Sequence, residues 1–195
     1  MNNFFLEGDK FIGKSTLLRE VIMATGKSVS GFYVNRRIND QGHIVGFELR
    51  AAKEWGQQTP DMTPIADHCF IHTEKGRRTR NLQVFETFGK ALLKEAKNDT
   101  ADIILLDEIG GIELLSSPFK VELLTLIQQP KKILGVFKSE ENYHKQKKYT
   151  LEKLEIGQQR VMLRQEILKE NGQILKLNEH NYSIVKNQLL KFLME

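Results

Sequence analysis

A chain of 195 residues is about one domain's worth, and its 40% hydrophobic and 28% charged residues sit near globular averages. That balance excludes a disordered, collagen-like or low-complexity chain, and no apolar run approaches the ~18–20 residues that cross a bilayer. The net charge of +4 is a mild basic excess that suits a protein handling phosphates but is also common in lysine-rich soluble enzymes, and a nucleic-acid partner is not the expected one.

Asn3 to Glu7 is a short apolar run that stops at a glycine and reads as a buried strand. No basic region precedes it, so no secretory leader is expected. Gly8 to Gly13 is a loop, after which Leu17, Leu18, Val21 and Ile22 recur at helical spacing up to Gly26. Ser28 to Arg37, rich in Val, Phe and Tyr, and His43 to Ala51 read as strands joined by the turn chemistry of Asn39-Asp40-Gln41-Gly42, hence a hairpin over 28–52. Residues 53–66 hold two of the four prolines and read as loop, and a short strand is expected at His68 to His72. The one cysteine, Cys69, permits no internal disulfide and fits a reducing cytoplasm.

Further along, Lys75, Arg77, Arg78 and Arg80 form a dense basic loop. Leu82, Phe85, Gly89, Leu92 and Ala96 mark one face of a helix with Asn81 as its N-cap. Ile103 to Leu106 is apolar on both faces, as a central parallel strand must be, and runs into Asp107-Glu108. Ser117-Pro118 opens a helix to about Gln128, and Ile133 to Phe137 is another buried strand. Leu151 to Asn171 is expected to be helical and to stop at Gly172; Gln173 to Leu177 is a last strand and Asn181 to Leu193 a last helix. Strands alternating with helices predict one α/β domain over 1–195, a mostly parallel sheet with helices on both faces, an inserted hairpin at 28–52 and a variable helical segment at 138–172.

Gly8-Asp9-Lys10-Phe11-Ile12-Gly13-Lys14-Ser15 matches the Walker A phosphate loop, G-x-x-x-x-G-K-[ST], at every fixed position, with a strand before it and a helix after. The glycines let successive N–H groups turn inward around phosphate oxygens, and the helix dipole points at the same anion. Gly8, Asp9, Lys10, Phe11, Ile12, Gly13, Lys14, Ser15 and Thr16 are therefore the expected nucleotide-binding residues. Lys14 is expected to bridge the β- and γ-phosphates and the Ser15 hydroxyl to ligate Mg²⁺. Asp107, at the end of an apolar strand, is the expected Walker B magnesium carboxylate, and Glu108 the general base that orients water.

These blocks together resemble the small P-loop nucleoside-triphosphatases that include the thermophile enzymes and the cancer-related nucleoside-triphosphatase. The resemblance runs, in order, through the loop at Gly8–Thr16, Gly31-Phe32-Tyr33 followed by Arg36-Arg37, Gly42-His43-Ile44-Val45-Gly46-Phe47, and Asp107-Glu108-Ile109-Gly110 with Glu113. It spans roughly residues 3–137 and implies a three-layer P-loop fold and Mg²⁺-dependent hydrolysis of ATP or GTP with loose base preference. It also implies phosphate and magnesium roles for Lys14 and Ser15, the Walker B role for Asp107 and the catalytic carboxylate for Glu108. The chain departs from the family at Asp9, Lys10, Phe11 and Ile12, where proline or further glycine is usual, and 138–172 matches it poorly.

Candidate cations for the γ-phosphate are the basic loop, the pair Arg160 and Arg164 one helical turn apart, and Lys138 after the last central strand. Asn178 to Asn181 lie where the base could be held, whereas Trp55 and Phe70 read as packing. His68, Cys69 and His72 lack a fourth ligand and make a poor zinc site. Two other functions fit the same loop: a nucleoside or nucleotide kinase using 138–172 as a lid, and a slow nucleotide-dependent switch acting on a protein or RNA. The partner expected is a nucleoside triphosphate, ATP or GTP, in the cytoplasm; no membrane partner is expected and no protein partner is identified.

Overall fold

The computed structural model describes residues 2–56, 65–74, 77–149 and 155–195. Among these residues eight strands form one sheet: β1 (Asn3–Glu7), β2 (Val29–Ile38), β3 (Ile44–Ala51), β4 (Cys69–Glu74), β5 (Arg77–Arg80), β6 (Ile103–Ile109), β7 (Lys132–Phe137) and β8 (Gln173–Lys176). Their order is β5-β4-β3-β2-β6-β7-β1-β8. The pairs from β2 through β6, β7 and β1 to β8 are parallel, and those from β2 through β3 and β4 to β5 are antiparallel.

Period-2 alternation decides which side each strand residue serves. Phe5, Ile104 and Leu106 point to one core, while Phe4, Leu6, Ile103 and Leu105 point to the other. The first core is closed by α2 (Lys90–Asn98), α3 (Ser117–Ile127) and α5 (Gly157–Leu168), the second by α1 (Lys14–Thr25) and α6 (Tyr182–Met194). The result is the expected three-layer α/β arrangement. Ile103 to Leu106 are each at most 1% exposed, and at about 1.5–3 kcal/mol per buried side chain they anchor β6 at the centre.

Three expectations need correction. Arg77–Arg80 is not a loop but the edge strand β5, paired with β4 from Ile71↔Arg80 to Glu74↔Arg77, so the inserted hairpin is the first half of a four-stranded meander. Arg78 and Thr79, exposed on this edge, suit such a strand, although the segment carries no hydrophobic alternation. The segment after β7 holds two described helices, α4 (Glu140–Tyr149) and α5, rather than one from Leu151; residues 150–154, with Leu151 and Leu154, lie outside the described chain. Finally, the α-helix ends at Leu168 rather than at Asn171: a 3-10 turn over Lys169–Asn171, with Glu170 and Asn171 at φ 50° and 64°, carries the chain to Gly172, whose N–H closes that turn on the Lys169 carbonyl.

Smaller features agree with the sequence. The Asn81 side chain accepts from Gln83 N–H at 3.1 Å, as a cap should. The following helix passes through a π-helical turn at Phe85–Gly89, which brings Val84 and Leu93 into the core beside the expected stripe. Ser116, one residue earlier than expected, caps α3 by accepting from Phe119 N–H at 3.3 Å. Trp55 packs on Tyr33 with ring centroids 5.2 Å apart.

Candidate active site

The 8–15 loop connects β1 to α1 at the carboxyl edge of the parallel strands. Gly8 has φ +140°, and a Cβ there would sit 2.6 Å from the Leu177 carbonyl oxygen, so only glycine lets β1 and the chain after β8 close together. Gly13, at φ +90°, stands at the N-cap of α1; no side chain caps the helix and no acid lies in its first turn. Its first amides and the positive end of its dipole are thus directed at whatever occupies the loop. Lys14 Nζ folds back over the loop, donating to the carbonyls of Gly8 at 3.1 Å and Asp9 at 2.5 Å. Burial lowers its pKa, opposed by Glu108, Asp107 and Asp9. Ile12 packs under the loop against the second core, and Thr16 is exposed on the first turn of α1.

Two strands away, β6 delivers its acids. The pairing of β6 with β7 shifts register between Leu106 and Ile109, and within that irregularity Glu108 adopts φ +66°. A bulge of this kind re-aims side chains, and a non-glycine residue in the left-handed region costs about 1–3 kcal/mol unless its surroundings hold it. Asp107 is 2% exposed and accepts from the Ser15 hydroxyl at 2.9 Å. Burial, and then Glu108, push its pKa up to about 7, against the Ser15 hydroxyl, the Val34 amide and Lys14. Half-buried Glu108 stands in the field of both Lys14 and Lys10.

Cations gather around this carboxylate. Lys10 has its pKa lowered by burial, then by Lys138, with Arg78 and Lys145 adding to the effect and Glu108 opposing it. The Lys138 ammonium lies 2.8 Å from where a Cβ of Gly111 would be, and it acts on Glu113. The Arg36 guanidinium stands 4.6 Å from the centre of the Phe11 ring, which is 71% exposed on a residue with φ +66°. Its field also reaches Lys14. The departures at Lys10 and Phe11 therefore contribute a cation and a cation–π seat to the loop's rim.

Of the other candidates, Arg160 is buried, with its guanidinium on the backbone carbonyls of Gly110 and Lys138, and Arg164 holds Glu7 at 2.8 and 3.3 Å. Arg160 is thus committed to buried backbone rather than free as a mobile γ-phosphate cation, and Arg164 is paired with the residue that precedes the loop. Arg78 of β5 stands near Lys10; Lys75 lies outside the described residues. Cys69 donates to the Ile71 carbonyl and His68 stacks on Phe88, and the described residues contain no metal-binding cluster of His, Cys, Asp or Glu. Asn178 and Asn181 spend their side chains within a tight turn beyond β8, and Tyr182, next in the chain, approaches Gly13.

Sequence reasoning missed Asn142, whose buried amide donates to the Gly8 carbonyl at 3.2 Å, and the part Arg36 takes at the loop. Asn142 carries no local signal, because α4 meets the loop only through the fold. Arg36 was visible only as a residue of the G-F-Y block.

A sequence model of the family described as NTPase matches residues 3–190. The cancer-related nucleoside-triphosphatase homolog of Mus musculus is 28% identical over 138 residues, covering 65% of this chain and 69% of that protein. Nucleoside-triphosphatase THEP1 of Aquifex aeolicus is 27% identical over 132 residues, 64% of this chain and 70% of that one. The crystal structure of THEP1 from the hyperthermophile Aquifex aeolicus shares the fold at TM-score 0.66 and 19% identity over the full length of both chains. The solution structure of a human cancer-related nucleoside triphosphatase does so at 0.61 and 19%, over 98% of this chain and 96% of that one.

Proposed function

Because the chain belongs to the NTPase family, we propose that it hydrolyses nucleoside triphosphates, ATP or GTP with relaxed base preference, to the diphosphate and phosphate in a Mg²⁺-dependent reaction. The observation that carries this reading is the 2.9 Å hydrogen bond from Ser15 to Asp107, which joins the two halves of the expected site with Glu108 next in the chain. Two hard oxygen donors side by side suit a magnesium ion, and a buried carboxylate whose pKa is pushed up to about 7 is one that a cation would return to its charged form. Ser15 and Asp107 would hold the ion, which supplies charge neutralisation between the phosphates.

The chain's own groups supply the rest. The loop amides and the α1 dipole receive the β- and γ-phosphates, and Lys14 exchanges the Gly8 and Asp9 carbonyls for phosphate oxygens. Lys10, Lys138 and Arg36 set positive charge around the γ end. Glu108 orients a water in line with the bond from the γ-phosphorus to the β–γ bridging oxygen and takes its proton. The water oxygen bonds to phosphorus as the bridging oxygen leaves with the diphosphate. The contacts of Arg160 with Gly110 and Lys138, and of Arg164 with Glu7, support hydrolysis over the kinase reading, which would use both arginines as lid cations. A cytoplasmic location belongs to the same proposal; among the described residues no helix is long and apolar enough to cross a membrane.

Phosphate release from ATP, GTP, CTP and UTP, with and without Mg²⁺, tests the reading. Lys14→Ala is expected to abolish release. Glu108→Gln is expected to lower kcat by about 10²–10⁴-fold with nucleotide still bound. Multiple turnover at the wild-type rate by Glu108→Gln would remove Glu108 from the role of base.

A further inference from the structure

The peptide at Gly110 is gripped from both sides. Its N–H donates to Glu113 Oε1 at 2.5 Å, and the same carboxylate takes the Gly111 N–H at 2.8 and 3.0 Å. Its carbonyl accepts from Arg160 Nη1. Arg160 comes from α5, fifty residues away in sequence. Its Nη2 donates to the Lys138 carbonyl at 2.7 Å and to Glu140 Oε2 at 3.1 Å, and its guanidinium lies 5.0 Å from the Phe137 ring centre and 4.6 Å from that of Tyr143. Both Glu113 and Arg160 are 3–4% exposed, and a Cβ on Gly110 would stand 3.1 Å from Arg160 Nη1.

This grip lies two residues beyond Glu108, whose left-handed backbone needs surroundings that hold it. It also ties the chain leaving β6 to the chain leaving β7 through the Lys138 carbonyl. We infer that Arg160 and Glu113 are positioning residues: together they clamp the Gly110 peptide and so hold the Glu108 carboxylate in place for attack at the γ-phosphate. This deepens the reading of Glu108 as the base and rests on it. It also assigns the 138–172 segment a place in the active site, through an arginine that faces inward rather than toward the substrate.

A clamp that acts through Glu108 affects turnover rather than nucleotide binding, because the loop and Lys14 are held by other contacts. Arg160→Lys keeps the charge but cannot fork onto two carbonyls. It is expected to lower kcat by at least about tenfold, since misplacement by ~1 Å can cost ~10²-fold, while KM and the affinity for a fluorescent triphosphate analogue change less than about threefold. The decisive comparison repeats Arg160→Lys in the Glu108→Gln background, where no base is left to place and turnover is expected to change less than about twofold. An equal loss in both backgrounds, no loss in either, or a rise in KM in step with the loss of kcat would overturn the clamp. Glu108→Gln at the wild-type rate would instead overturn the reading beneath it. Should Arg160→Lys fail to fold, Glu113→Asp shortens the opposite jaw by one methylene, and the same comparison with Glu108→Gln decides.

Discussion

Positive φ concentrates where chemistry is expected. Phe11 in the loop and Glu108 after the central aspartate both adopt the left-handed region, joined by Gly8, Gly13 and Gly110. Side chains there are disfavoured unless fixed by neighbours, and in this chain the neighbours are identifiable: Arg36 over Phe11, and the Glu113–Arg160 grip beyond Glu108. Gly110 tests the local geometry directly. At φ +88°, with Arg160 and the Phe137 ring within 3.1–3.3 Å of any Cβ, Gly110→Ala adds backbone strain and pushes on the guanidinium. A loss of about 1–3 kcal/mol is expected, which for a chain of this size lowers Tm by roughly 3–10 °C in a calorimetric scan. An unchanged Tm would mean that the turn has room to relax.

Among the elements, the meander β2–β5 places unlike groups on one surface. Its inner end presents Val34, whose amide serves Asp107, and Arg36; β4 packs on the π-helical turn before α2, with the Phe70 and Phe85 ring centroids 4.9 Å apart. His68, just before β4, stacks on the Phe88 ring at 3.6 Å, and its buried Nδ1 has no hydrogen-bond partner among the described residues. Burial, and then Arg50, lower its pKa from the ordinary 6.5. A histidine with a depressed folded pKa binds a proton more readily in the unfolded chain, so the stability it lends is present above pH 6.5 and is lost as pH falls below that value. His68→Phe keeps the ring on Phe88 and removes the titration. Its Tm should fall less than that of the wild type between about pH 7 and 5, by about a degree or two given the partial exposure of the site. Parallel melting curves at both pH values would contradict this.

The whole molecule brings its charges to one edge of the sheet. Lys10 and Lys14 come from the loop, Arg36 and Arg78 from the meander, and Lys138 from the chain just after β7, all at the end where β1 and β6 finish. They meet the carboxylates of Asp9, Asp107, Glu108 and Glu113 there, so this cluster is a product of folding rather than of a net charge of +4. A polyanion that binds there stabilises the folded chain by mass action. In Glu108→Gln protein, ATP with Mg²⁺ at 100 times Kd is expected to add about 2.7 kcal/mol, and hence roughly 5–10 °C in Tm. The shift should vanish when Lys14→Ala is added. A shift of equal size in the double variant would place the nucleotide elsewhere.

What the sequence by itself determined follows from local rules. The G-x-x-x-x-G-K-S spacing marks the loop, the apolar run Ile103 to Leu106 marks a strand buried on both faces, and Asn39 to Gly42 marks a hairpin turn, because each depends on residues within a few positions of one another. The same holds for the alternation that splits the core into two. Tertiary structure alone decided the rest. β5 could not be seen, since four consecutive polar residues become a strand only when β4 offers a ladder. Arg160 and Arg164 have the spacing of paired surface cations, yet packing turns one into the core onto Gly110 and the other onto Glu7. Asn142 reaches Gly8 across 134 positions. Contacts of that span have no periodicity to betray them: they exist because the sheet carries the ends of β1, β6 and β7 to one edge, where the helices after β7 close over them.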